Sequence, residues 1–467
     1  MIDNMEQMKL TSVRLIAGIS LLMLAGCVGR GPYRTSYPGT SAPPIAPVLN
    51  SKHEDIRVVE DHGSFKLAFV EFDESGNRQQ GTKQIEAAER VIRQARGLDL
   101  RTGAVQPNTV GGLTVLYIHG WKNNARSVEG QMKDVEKFRL ALERISKELD
   151  LDPAKMPITG VYIGWRGRSV NIDNALLNFW TLFPRYFVAG RVSSDEMQKT
   201  IARIFNAGAA GKGRPNHLRP RVVLLGHSLG GRVLEGAVEN VQGSSLFEGI
   251  GPSQNGLVLG ACVTLNNGTV TPPESPVDLV LSVNEATRSF KVRRANKLCN
   301  PPLDAKRFVR HPGYEKTFCE DSKNRNEAIC KPYPLFVHIA SSADWATRWL
   351  ALLALGGRTA PHSVELHTHN VTEIAAVDDA PPEAVFTFET NGHNADKERH
   401  AYAVISRKPE PNRHPIWVMR VNKHVIQNHG DIWNPDFMNM LISLMGGMET
   451  VPMKNYSPAK KRVIPAR

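Results

Sequence analysis

The chain reads as an α/β protein built on a doubly wound, mostly parallel sheet with insertions after several strands. Two observations predict this. From about residue 56 to 450, short apolar runs alternate with stretches of helical periodicity, the pattern of strands joined by crossover helices. In the middle of that pattern the apolar run 221–225 ends in Gly226-His227-Ser228-Leu229-Gly230-Gly231, and helical spacing resumes over 232–241. Gly-x-Ser-x-Gly between a strand and a helix is a turn so tight that Cβ atoms two residues either side of the serine would clash. Gly226 and Gly230 remove those atoms, and Gly231 lets the helix pack close to the sheet.

The elements follow in order. Residues 66–72 form an early strand that turns at Asp73-Glu74-Ser75-Gly76, and 84–96 form a helix. A central strand at 113–118 precedes a long amphipathic helix over 128–149. The strand 158–165 leads into a broad helical zone ending near residue 205. After the serine turn and its helix come two apolar runs, 257–263 and 278–283, the second the better sheet strand. The strand 334–340 is followed by a helix from 345 to 355, and 415–421 is the last strand. Asn434-Pro435 then caps a closing helix, with Phe437, Met440, Leu441, Leu444 and Met445 on one face. No internal repeat breaks the 56–450 domain.

The N-terminus bears on location. Lys9 and Arg14 precede an apolar run, 15–24, too short to span a bilayer stably. The run ends in Leu24-Ala25-Gly26-Cys27, which resembles the lipobox of bacterial lipoproteins. That resemblance implies removal of residues 1–26 and acylation of Cys27. Val28 is not the Asp that retains such proteins at the inner membrane, so the outer membrane, periplasmic face, is expected. Residues 27–55, rich in Pro, Gly, Ser and Thr, read as a flexible tether, and 451–467 as a basic tail. The net charge of +12 is unchanged by loss of residues 1–26, whose charges balance. Such a charge reads first as a solvated surface of scattered Lys and Arg, with contact to anionic headgroups the alternative, and no motif points to nucleic acid. Four cysteines remain beside Cys27. In an oxidising compartment they invite disulfides, the simplest being Cys319 with Cys330. Cys262 reads as a buried thiol, Cys299 lies in the same insertion as Cys319, and the pairing stays open.

Serine attacks only when a base takes its proton, so a histidine and a carboxylate must come from loops opening at the same sheet edge. Asp344 follows the strand 334–340 at that edge; Glu285, ending the strand before, is the alternative acid. Of 15 histidines, His424 and His429 follow the last strand. His429, in the loop entering the closing helix, is preferred as base, with His424 the alternative. An oxyanion needs two main-chain N–H groups. Leu229 offers one, and the loop after the strand 113–118, His119-Gly120-Trp121-Lys122-Asn123, offers the other. Trp121 is the favoured donor, with Gly120 shaping the turn and His119 a structural residue. His367 and His369 lack a third ligand, so no metal and no cofactor are expected.

Together His119-Gly120-Trp121, Gly164-Trp165-Arg166-Gly167, Gly226-His227-Ser228-Leu229-Gly230-Gly231, Ser342-Ala343-Asp344-Trp345 and Asn428-His429-Gly430-Asp431 resemble the landmarks of serine α/β-hydrolases, esterase/lipase-like. The resemblance implies a Ser228, Asp344, His429 triad that cleaves a carboxylic ester, a lipid ester among the candidates, through an acyl-enzyme. Asn284-Glu285-Ala286 stands where Asn-Pro-Ala is expected, which keeps Glu285 open as acid. Trp121, Trp165 and Trp345 lie at strand ends and are expected to converge near Ser228. The aromatics Phe179, Trp180, Phe183, Tyr186 and Phe187 would roof an apolar pocket. An acyltransferase or thioesterase on the same triad, or a silent binding protein on the same scaffold, are the alternatives.

Overall fold

The computed structural model describes residues 31–38, 46–128, 133–167, 182–211, 220–239, 277–286, 317–319, 330–332, 336–347, 359, 362–363, 366–374, 384–390, 401–407 and 416–446. The signal region 1–26, Cys27, the run 257–263 with Cys262, Cys299, most of the helix read over 345–355 and the tail 451–467 lie outside them.

The described residues form an eleven-stranded mixed sheet with six helices. Its strands are β1 (Val59–Asp61), β2 (Phe65–Phe72), β3 (Leu113–Ile118), β4 (Ile158–Trp165), β5 (Arg221–His227), β6 (Leu279–Val283), β7 (Phe336–Ser341), β8 (His369–Ile374), β9 (Ala384–Thr390), β10 (Ala401–Arg407) and β11 (Ile416–Val421). They lie in the order β9-β10-β8-β11-β7-β6-β5-β3-β4-β2-β1. From β8 to β2 every pairing is parallel; the two ends are closed by antiparallel strands. Burial on both faces explains why the central strands are continuously apolar rather than alternating: β3, β4, β5, β6 and β7 are buried throughout.

Helices cover both faces. α1 (Lys83–Arg96), α3 (Leu182–Val192), α4 (Asp195–Ala209) and α5 (Leu229–Glu239) share one apolar core with Ala68, Val70, Leu116 and Leu224 of the strands. α2 (Asp134–Glu148) and α6 (Pro435–Gly446) share the other with Leu67, Phe69, Val115 and Leu225. Alternate residues of one strand thus feed opposite cores. No helix among the described residues is long and apolar enough to cross a membrane.

Two expectations are corrected, and three strands are added. The helix read from residue 128 begins at Asp134; Ser127–Val128 instead pairs antiparallel with Glu54–Asp55, because burial against a neighbouring strand outweighs helix periodicity there. β8, β9 and β10 extend the sheet beyond the strands expected, although the alternation in Ala-Val-Phe-Thr-Phe-Glu-Thr carries the period of two. The 27–55 segment is in part docked, since Arg34 is wholly buried and Ser36 bridges Arg57. In the insertion, Thr317–Cys319 pairs antiparallel with Cys330–Pro332, and Cys330 stands opposite Cys319.

Candidate active site

All parallel strands point their C-terminal ends to one edge of the sheet, and the candidate residues leave from there. Ser228 follows β5 at the head of α5, and its φ of 56° is left-handed, a strained conformation for a residue with a Cβ. The strain is fixed by neighbours: Ser228 N–H donates to Val283 O at 2.9 Å, and Arg232 N–H reaches Ser228 O at 3.3 Å. A Cβ on Gly226 would lie 2.8 Å from the Gly231 Cα, and one on Gly230 would strike the Ile118 and His119 carbonyls. The close approach expected at this turn is therefore present.

His429 bridges the serine and the acid. Ser228 Oγ lies 2.6 Å from His429 Nε2, and His429 Nδ1 donates to Asp344 Oδ1 at 3.0 Å. Asp344, wholly buried, also accepts from Ala346 N–H at 3.0 Å, Thr347 N–H at 3.2 Å and the Thr347 hydroxyl. His362 Nε2 backs that hydroxyl at 2.9 Å. Burial alone pushes the Asp344 carboxyl up; the adjacent His429 and the hydrogen bonds from His429 and Thr347 outweigh it and hold the group below the usual aspartate value. It is an anion positioned to orient His429 and to stabilise its protonated form.

The two alternatives go elsewhere. Glu285 is buried and accepts from His338 Nδ1 at 2.7 Å. His424 sits in a turn whose amides donate to Asn422 Oδ1. His367 and His369 join no group of three or more His, Cys, Asp or Glu able to hold a metal among the described residues; His369 stacks on Trp417 at 3.8 Å.

The loop after β3 lies against the serine: a Cβ on Gly120 would meet Ser228 Cβ and His227 O at 2.9 Å, so only glycine lets the loop come this close. The turn continues through Lys122, at φ 70°, whose N–H donates to Gly167 O at 2.9 Å. His119 holds the base of the loop. Its Nδ1 donates to Gly120 O at 2.8 Å, its Nε2 accepts from Trp165 N–H at 3.0 Å, and its carbonyl accepts from Trp165 Nε1 at 2.8 Å. Burial lowers its pKa to about 4, so it is neutral and serves as a strut. Trp165 is accordingly core, stacked on His119 at 5.6 Å, and not the pocket wall expected of it. Trp345 is 59 % exposed and Phe187 65 % exposed, while Tyr186 packs on Arg232. Phe179 and Trp180 lie outside the described residues, as does the Phe183 side chain.

Two contributors escaped the sequence reading. His227 Nε2 donates to the main-chain carbonyl of His429 at 2.8 Å, and Asn284 Nδ2 donates to the same oxygen at 3.1 Å. Asn284 is itself at φ 47°, and its Oδ1 accepts from Ser341 N–H at 2.9 Å. These side chains clamp the histidine loop over the serine. Burial, then the neighbouring His429, lowers the His227 pKa to about 3, so it stays a neutral donor. Against known proteins, the chain matches no family model and no curated relative.

Proposed function

We propose that the protein is a serine hydrolase of the α/β-hydrolase type that cleaves a carboxylic ester through an acyl-enzyme. One observation carries the reading: His429 is within hydrogen-bond distance of both Ser228 Oγ and a buried, anionic Asp344. The parallel strands that deliver all three groups to one edge support the same fold type.

In this scheme Ser228 Oγ attacks the acyl carbon while His429 Nε2 takes its proton. The carbonyl oxygen becomes an anion, held by the amides of Leu229, at the N-terminus of α5, and of Trp121. Asp344 stabilises the imidazolium. Collapse expels the alcohol, which receives the proton from His429. Water, deprotonated by the same nitrogen, then attacks the acyl-enzyme; the second collapse returns the proton to Ser228 and frees the acid. His227 and Asn284 hold the His429 main chain still through both halves.

The same proposal places the protein on a membrane through acylated Cys27. Five residues separate Cys27 from Tyr33, where docking begins, a reach of roughly 20 Å when extended. A substrate with an apolar acyl chain suits that location, and Trp345 and Phe187 offer exposed apolar surface. The test is fluorophosphonate labelling of the purified protein. Wild type should label at Ser228, and Ser228→Ala should lose both labelling and ester turnover while melting at the same temperature. Equal labelling of Ser228→Ala would place the nucleophile elsewhere. Across p-nitrophenyl esters, kcat/KM should rise from acetate to octanoate; activity confined to acetate would remove the apolar-chain assignment.

A further inference from the structure

The oxyanion-binding loop is held in part by a segment from the far N-terminal side of the domain. Tyr33 and Arg34 donate their main-chain N–H groups to the two oxygens of Glu71, at 3.0 and 2.9 Å, and Arg34 O accepts from Gln84 Nε2 at 2.9 Å. Thr35 and Ser36 N–H both reach Ile56 O at 2.8 Å. The Arg34 side chain is wholly buried and crosses the Phe69 ring at 3.7 Å. Its Nη1 donates to Glu60 Oε1 at 2.9 Å and to Arg57 O at 3.3 Å. Its Nε donates to the carbonyl of Ala125 at 2.9 Å.

Ala125 belongs to the loop that begins at His119 and carries Gly120 and Trp121. The same stretch is tied down at Asn124, whose carbonyl lies 3.1 Å from the Tyr162 hydroxyl, and at Ser127, whose Oγ accepts from Arg139 Nη1 at 3.0 Å. Arg139 in turn donates to Glu60 Oε2 at 2.8 Å, so Glu60 links both arginines. From the end of β4, Gly167 N–H donates to Asn123 O at 3.2 Å. The loop is thus a compact unit whose outer end rests on Arg34. Ala125 is buried, so removing its donor would orphan a carbonyl that water cannot readily reach. The loop would shift to satisfy it, and an oxyanion donor displaced by a fraction of an ångström loses most of its effect.

We propose that Arg34 is a positioning residue for the oxyanion-binding loop, and that residues 33–36 form a strap whose docking sets the reactivity of Ser228. This rests on the serine-hydrolase reading. It also couples the segment leading to Cys27 to the reacting site through Ala125 and the loop that carries Gly120 and Trp121.

The experiment uses the full chain carrying Arg34→Lys. Lysine keeps the charge that Glu60 needs, but its single ammonium lacks the planar fork that serves Glu60 and Ala125 together. With p-nitrophenyl butyrate, kcat should fall 10- to 100-fold with KM within about threefold, the signature of a lost transition-state interaction. Fluorophosphonate labelling should slow in parallel, and hydrogen–deuterium exchange of residues 119–128 should accelerate. As a second arm, a protease site is placed within residues 39–45 and cut after folding, and the strap is washed off. A synthetic peptide of residues 31–38 should restore kcat, and the same peptide with Arg34→Ala should not. Unchanged kcat and exchange in Arg34→Lys, a KM rise that accounts for the whole loss, or equal rescue by both peptides would overturn the proposal. Wild type that labels and turns over keeps the hydrolase reading intact through any of those failures; wild type that does neither overturns both.

Discussion

Asp344→Asn probes how the acid is held, because the structure dictates which way the amide must face. Oδ1 receives three N–H donors, from His429, Ala346 and Thr347, whereas Oδ2 receives a hydroxyl, from Thr347. An amide nitrogen at the Oδ1 position would face three donors. At the Oδ2 position it meets a hydroxyl that can turn to accept. The asparagine oxygen therefore stays on His429, which keeps its tautomer, and only the charge is lost. Opposite charges ~4 Å apart attract by ~4 kcal/mol at an effective dielectric of ~20, and a neutral hydrogen bond retains ~1 kcal/mol. The deficit of ~3 kcal/mol corresponds to a fall of about 10²-fold in kcat. Where the amide reverses the tautomer, the fall is about 10⁴-fold, and Asp344→Ala, which removes orientation as well, should approach that figure. The assay is steady-state hydrolysis of p-nitrophenyl butyrate by the three proteins, with Glu285→Gln as a fourth. Equal damage in Asp344→Asn and Asp344→Ala would refute the orientation argument. A fall under threefold in Asp344→Asn, beside a large one in Glu285→Gln, would move the acid to Glu285.

Acid should uncover the cost of the buried strut. His119 is neutral when folded, with its pKa lowered from 6.5 to about 4; its contribution is complete above pH 6.5 and is lost as the pH falls through 4, by ~3 kcal/mol. The stability gap between wild type and His119→Asn, from urea midpoints, should therefore shrink by that amount between pH 6.5 and 4, and a pH-independent gap would show that His119 titrates normally. Cys27→Ser should move the protein out of the membrane pellet with kcat/KM unchanged; retention in the pellet, with no acyl mass on the wild-type N-terminus, would sink the lipid anchor.

The serine turn was legible because its cause is local. A strand, two glycines and a helix specify the left-handed Ser228 within ten residues, and the apolar runs of β3 to β7 announce themselves because both faces are buried. Their places after strand ends favoured Asp344 and His429, the two side chains the fold brings to Ser228 in one hydrogen-bonded row. The sequence left Glu285 and His424 open, and only the fold separates them: it turns Glu285 onto His338 and leaves His424 in the Asn422 turn. Other features were invisible. His227 and Asn284 reach the His429 carbonyl across 202 and 145 positions, and Arg34 reaches Ala125 across 91. A side-chain donor to a main-chain carbonyl leaves no mark at the accepting residue, since every residue has that carbonyl. Trp165 looked like a pocket wall from its place at a strand end, yet which face of a doubly covered strand meets ligand and which meets core is set by the layers packed on it. The sequence by itself determined the chemistry that local geometry can carry; the packed sheet decided which distant groups hold that chemistry in place, because those contacts depend on where loops meet in space and not on how far apart they lie in the chain.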